Sequence, residues 1–513
     1  MSAQMSSKVL RAWHVAVGLA AIVGLLMVLW PLGLGNDYMN HLARTYIEGY
    51  LYSEPVLQQF YGISLDFIPD LTMDLIIPWL SQVIGIYPAG AVTIWLGFVL
   101  PPIAGLVLAR ALHGRVTWVS LFGFLTVFNA NMSFGFVNFN VSIGFALLAF
   151  VLWIRMSPGW RRTVIFAPIG LVLVVNHALA FLMFGYLALV WELIQFSKRA
   201  RGPLPEFLFQ ILCFDGPAML GGLIFLGVSV RNATDLPQVP AQLFDLAGKV
   251  VTLQAGTLFG NFLIAGLVTS VIIVLCFFGI RNKWVEFADD MGWLCAALLA
   301  LVVLMPTTIM GIWGLHFRFT ALFLIVFGAS VRIRQGLPKR TSKILTALCL
   351  SALFLTYSNG AVAIAKTDQT ADEFRLFLKD LPQGSKLLVS FSSADAISAF
   401  SAHGASMAVI ERQAFVPNLF TNTSPVDVTP VMSDYHMPQS QGFSPDELRM
   451  IATANVMPSA NGFWSTGFAN DWPRRWDYIV LFRTPDYPGL EDLPVCEVSA
   501  IETAILYKVG LCP

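Results

Sequence analysis

Asp37, His41, Arg44 and Glu48 follow one another at four-, three- and four-residue spacing in the stretch GNDYMNHLARTYIEGYLY, residues 35 to 52. At about 100° per residue of helix they fall within one stripe about 60° wide, with Leu42, Tyr46, Ile47 and Tyr50 on the far side. These residue types can do chemistry together. A carboxylate can take the proton of a hydroxyl, and a guanidinium can offset negative charge on a leaving group. An imidazole four residues from the carboxylate can orient it, or join it around a metal. The plainer alternative is that Asp37 caps a helix while His41, Arg44 and Glu48 are solvated neighbours at helical spacing.

Composition sets the solvent in which that stripe works. Of 513 residues, 56% are apolar and 12% charged, with a mean hydropathy of +0.70, far from the soluble average of about a quarter charged. The chain is a membrane protein. Zero net charge and the lack of any block of like charges exclude a nucleic-acid partner.

Apolar runs place spans near residues 12–34, 89–109, 116–130, 140–154, 163–176, 178–196, 206–229, 257–280, 291–309, 317–333 and 344–365, which makes eleven. With the N-terminus inside, 17 Lys and Arg fall in inside segments and 4 in outside segments before Lys366, as the positive-inside rule requires. Residues 71–86 hold Pro78 and, at about 24 Å as a helix, are too short to span. They read as an interfacial or re-entrant helix. The first outer loop, 35–88, belongs on this layout to a membrane domain of residues 1–366.

Residues 367–513 change character and read as a soluble extracytoplasmic α/β domain. DEFRLFLKDLPQGSKLLVSF reads as helix, turn and strand, SMAVIERQAF and DYIVLF as strands, and VCEVSAIETAILYKVG as a hairpin. Cys496 and Cys512 flank that hairpin in a compartment that permits a disulfide, whereas the other four cysteines sit in or near spans. In WPRRWDY, residues 472 to 478, Trp472 and Trp476 lead into a strand and read as packing rather than as a sugar platform.

The outer face then collects the remaining polar groups. Asp66, Asp70 and Asp74 precede or lie along the short helix, Asn129, Asn131, Asn138 and Asn140 line one hairpin tip and His177 the next, and GIWGLHFRFT brings His316 and Arg318 to the start of the tenth span. Charge at membrane depth costs about 2.5–3.5 kcal/mol on insertion scales, so such groups tend to face a cavity.

A first helix with its N-terminus inside, an acid opening a first outer loop with juxtamembrane helices, many further spans and a C-terminal outer domain together resemble the GT-C superfamily of polytopic membrane glycosyltransferases, over residues 12 to 335. NDYMNHLAR is similar to the first-loop acidic motif, in the D-x-x-x-H form of poorly characterised bacterial members. The resemblance implies that Asp37 is the catalytic acid or base, or a metal contact, and that Arg318 meets a lipid phosphate. Beside it, the residues themselves read as His41 assisting Asp37 in catalysis and Arg44, His177 and His316 joining Arg318 in binding substrate, with His177 or His316 alternatively joining Asp37 and His41 around a metal. It further implies a polyprenyl-phosphate-linked sugar donor, a glycan or lipid acceptor in the cell envelope, membrane lipids as partners and a bacterial inner membrane. The D-x-D or E-x-D pair common in the superfamily is absent, Tyr38 and Met39 following Asp37, which leaves a divalent metal open. Two other classes fit the same composition: a lipid-linked saccharide transporter or flippase, for which matched halves with Gly/Pro-broken spans would be the sign, and a non-enzymatic polysaccharide assembly protein anchored by its spans.

Overall fold

The computed structural model describes residues 2–64, 68–116, 118–198, 204–232, 246–288, 290–309, 312–334, 337–396, 398, 400–421, 424–437, 442–454, 467–469, 471–487 and 489–510. Each expected span overlaps a helical element. Among the described residues seven helices are long and apolar enough to cross a membrane, including Ile86–His113, Val137–Arg155, Ala178–Lys198 and Phe262–Arg281. They carry large apolar side chains on their outside, as Val17, Leu25 and Val28 do on Ser2–Leu29. Of the remaining four, Trp160–Asn176 covers its whole expected span, with Pro168 inside it, and three are shorter than the apolar runs suggest, for local reasons. Val119–Thr126 winds as a 3-10 helix before the single turn Ala130–Ser133. Met291–Leu304 stops ahead of Pro306, because the residue before a proline avoids helical backbone. The segment Leu315–Ser330 is divided near Phe319 into Leu315–Arg318 and Thr320–Ser330. In the other direction, the last span continues without a break as Lys339–Phe377.

Two compact units divide the chain. The first comprises residues 1–29, 69–72 and 94–363, and its core is the apolar filling between spans, among them Leu147, Phe150, Trp153, Phe166, Phe184 and Leu298. Near one end of that core Arg162 is buried against Glu192 at 2.8 Å and Asp215 at 3.1 Å, with Gln210 donating to both carboxylates. A π-turn at Ile211–Asp215 swings Asp215 into this cluster, which ties three spans by groups that would be costly to leave unpaired.

The second unit comprises residues 30–68, 73–93 and 364–513. Apart from residues 69–72, the first loop thus packs with the C-terminal part. A two-stranded antiparallel ribbon pairs Tyr61–Ile63 with Val426–Val428, the Tyr61 hydroxyl donates to the Ala414 carbonyl and accepts from Val416 N–H, and Tyr87 donates to Glu411. Glycine at position 90 admits the Tyr38 ring, since a Cβ there would collide with the hydroxyl. The sheet runs Leu387–Phe391, Tyr478–Phe482, Ala504–Val509, Val495–Ala500, the first pair parallel and the others antiparallel. Two of the three single-strand readings and the hairpin are therefore as expected. SMAVIERQAF is not a strand but the helix Met407–Arg412, ended by Gln413 at φ 50°. A short apolar run carries no periodicity that separates the two. Trp472 and Trp476 are buried and donate their indole N–H groups to Leu448 and Phe468 carbonyls. Cys496 is disulfide-bonded, and Cys512, its expected partner, lies outside the described residues, as does Asp66.

The short helix Thr72–Ile84 contains Pro78. Met73, Asp74, Ile77 and Ser81 are buried, while Leu75, Trp79 and Val83, one turn apart, are exposed. That one-sided apolar stripe with an exposed tryptophan has the form of an interfacial helix.

Candidate active site

The first-loop helix runs Asp37–Tyr50. Asn36 occupies the N-cap position with φ 53° and no side-chain capping bond, so Asp37 is the first helical residue. Its carboxylate turns toward His403, Oδ1 lying 3.4 Å from Nε2, and keeps 30% side-chain exposure, enough for a ligand hydroxyl to reach it.

What holds His403 there is Asn40. The Asn40 amide is fixed by two backbone groups, Oδ1 accepting from Phe420 N–H at 2.7 Å and Nδ2 donating to the Asn418 carbonyl at 2.8 Å. Its orientation is therefore set by the network rather than assumed. Nδ2 also lies 3.4 Å from His403 Nδ1, so that nitrogen must accept and the ring proton sits on Nε2, pointing at Asp37. The edges of His41 and His403 both meet Phe420, with centroids 5.6 and 4.9 Å apart.

Arg44 and Glu48 continue the stripe and are buried rather than solvated. Arg44 forms a two-pronged pair with Asp74, 2.8 Å from Nε to Oδ1 and 2.6 Å from Nη2 to Oδ2, at 0% exposure. Burial, then the Asp74 charge and a hydrogen bond to it, push the Glu48 carboxyl well up, so Glu48 holds a proton. The positive charge of Arg44 is thus committed to joining the first-loop helix to Thr72–Ile84.

The other expected site residues are in the first unit. Asp70 adopts φ 85° and is held by its backbone: its N–H donates to Val175 and its carbonyl accepts from Asn138 Nδ2. Its Oδ1 lies 3.7 Å from His177 Nε2. Leu179 N–H donates to His177 Nδ1 at 3.1 Å, again placing the ring proton on Nε2. Burial, with the Arg318 charge second, brings the His177 imidazole down to about 3. The Arg318 guanidinium stacks 4.0 Å over Phe136 and 5.6 Å from Phe139, and Asn131 donates to its carbonyl. His316 is buried in the short helix that carries Arg318, its ring edge-on to Phe317. Asn140 donates to Gly97 and Asn129 caps its own short helix, so these two asparagines satisfy backbone. Among the described residues no three of His, Cys, Asp and Glu are grouped closely enough to hold a metal ion.

His41 and His403, the histidine that faces Asp37, thus meet at Phe420, Arg44 is taken up by Asp74 instead, and His177 and Arg318 share Phe139. The stripe did not reveal Asn40, at its edge, or His403, from the far end of the chain. A pointer to His403 existed: of seven histidines only His403 and His436 lie beyond residue 366.

No family model matches the chain, and no curated protein matches it in sequence. Solved structures do match. The crystal structure of ArnT from Cupriavidus metallidurans in the apo state is similar with a TM-score of 0.57 at 12% identity, over 98% of this chain and 99% of that one. The crystal structure of the same protein bound to undecaprenyl phosphate is similar with a TM-score of 0.53 at 12% identity and the same coverage. The fold is that of ArnT. The likeness runs over nearly the whole chain, the C-terminal α/β part included, and the chain is a multi-pass membrane protein.

Proposed function

We propose that this chain is a glycosyltransferase of a bacterial inner membrane. In this reading it transfers a sugar from a polyprenyl-phosphate-linked donor to an envelope glycan or lipid acceptor at the extracytoplasmic face, with inversion at the anomeric carbon. The observation that carries the reading is the end-to-end likeness to ArnT, one of whose structures holds undecaprenyl phosphate.

Asp37 is the base. As the acceptor oxygen bonds to the anomeric carbon and the bond to the donor phosphate breaks, the hydroxyl proton passes to the Asp37 carboxylate and the electron pair leaves with the phosphate. His41 and Phe420 line the carboxylate's surroundings. Arg318 meets the negative charge of the departing lipid phosphate, with His177 and His316 shaping that side. Arg44 acts at one remove, by fixing the first-loop helix through Asp74.

Asp37→Asn tests the reading. Asparagine keeps size and helix-start chemistry and removes the proton acceptor, so protein level should be unchanged while transfer falls about 10²- to 10⁴-fold. The measurement is glycan product in cells at matched protein level. A fully active variant ends the case for Asp37 and, with it, for this mechanism.

A further inference from the structure

We propose that His403 is a positioning residue for Asp37, so that the α/β part of the chain completes the base of the reaction. The inference rests on the reading of Asp37 as that base.

Three independent contacts leave His403 one arrangement. Asn40 occupies its Nδ1 side, Phe420 meets its ring at 67°, and Nε2 faces Asp37 Oδ1. With the proton on Nε2, the ring presents it to one carboxylate oxygen 3.4 Å away, a contact that can tighten when substrate is bound, and leaves the other oxygen to face a hydroxyl. A carboxylate on a helix's first residue can rotate about two side-chain bonds, and a misplacement of about 1 Å at a reacting atom costs about 10²-fold. The ring is itself only 13% exposed, and Asn40, the residue that orients it, is wholly buried. Two shells are thus stacked behind one half-exposed oxygen pair, which is how a functional carboxylate is held and more than a surface ion pair requires. The proton on Nε2 stays there throughout; His403 neither gains nor loses it in the transfer.

Two variants separate positioning from packing. His403→Phe keeps a ring against Phe420 and removes the donor. His403→Gln loses the ring and keeps an amide N–H near the place of Nε2. Positioning predicts that Phe lowers kcat about 10²-fold with KM for donor and acceptor within about twofold, while Gln stays within about tenfold of the parent chain. Both are measured on the full chain in the same membrane preparation, at matched protein level. A Phe variant as active as the parent, or a Gln variant no better than Phe, overturns the proposal. Asp37→Asn is assayed beside them: if it is active, the reading of Asp37 has failed, whereas an inactive Asp37→Asn beside an active His403→Phe removes His403 alone.

Discussion

Each compact unit holds an aspartate facing the Nε2–H of a histidine whose Nδ1 is already engaged, yet the two pairs are built for different charge. Asp37 stands within hydrogen-bond range of His403, half-exposed, and the nearest cation on its own helix, Arg44, is spent on Asp74. Asp70 stands just beyond that range from His177, its backbone tied on both sides, in a pocket where Arg318 helps keep the imidazole uncharged. The first setting leaves a carboxylate able to gain a proton. The second keeps a histidine neutral beside a fixed cation, a setting that favours an arriving anion. The lesson is that the same pair of residue types is assigned its work by the third group beside it.

The sharpest way to break this contrast is kinetic. Asp37→Asn should strike kcat, as stated above, whereas Arg318→Gln should act on donor binding: removing a charged partner of a phosphate, worth about 1.5–3 kcal/mol, raises donor KM about 10- to 100-fold with kcat less affected. Equal loss of kcat in both variants would erase the distinction between the two regions.

Next in size is stability. Asp74→Asn removes the two-pronged carboxylate partner of the fully buried Arg44 and should cost up to about 3–5 kcal/mol, seen as a lower Tm in detergent and less protein in the membrane. A normal Tm would show that Arg44 has another outlet and that its charge is available to substrate.

A pH titration separates the histidines. His177 binds a proton near 6.5 when unfolded and only near 3 when folded, so the unfolded state takes up protons first as pH falls. Its contribution to stability is complete above about 6.5 and is lost as pH drops toward 3. Tm should therefore decline from pH 7 to pH 5, and His177→Gln should flatten that decline. An unchanged slope would place His177 in a wetter setting than its burial indicates.

The smallest effect is expected at Glu48. Because its carboxyl already carries a proton, Glu48→Gln substitutes one neutral donor for another and should leave both transfer and Tm near those of the parent chain. A large loss of activity would mean that Glu48, not Asp37, is the working acid of the stripe.

These contrasts were only half legible in the residues themselves. Helical period placed Asp37, His41, Arg44 and Glu48 on one face, and basic residues at both ends of the single apolar stretch 163–197 required a turn near Asn176 and His177. Their partners were not legible, because Asp74, His403 and Phe420 reach the helix through tertiary packing that no local period encodes. The bland account of the stripe as a solvated face fails for the same reason: whether a charge faces water or a buried counter-charge depends on what covers it. The short helix Met407–Arg412 shows the limit again, its four consecutive apolar residues, Met407 to Ile410, fitting strand and helix equally.

Asn40 bonds to a carbonyl 378 residues further along the chain. A ribosome extends the nascent chain from the N-terminus, so Asp37 is made long before the histidine it faces, and the spans between them are made in the interval. A product that terminates ahead of His403 is left without the clasp. If Asp37 is the base proposed above, the later segment thereby acts as a licence, withholding the reaction until the intervening spans have been made.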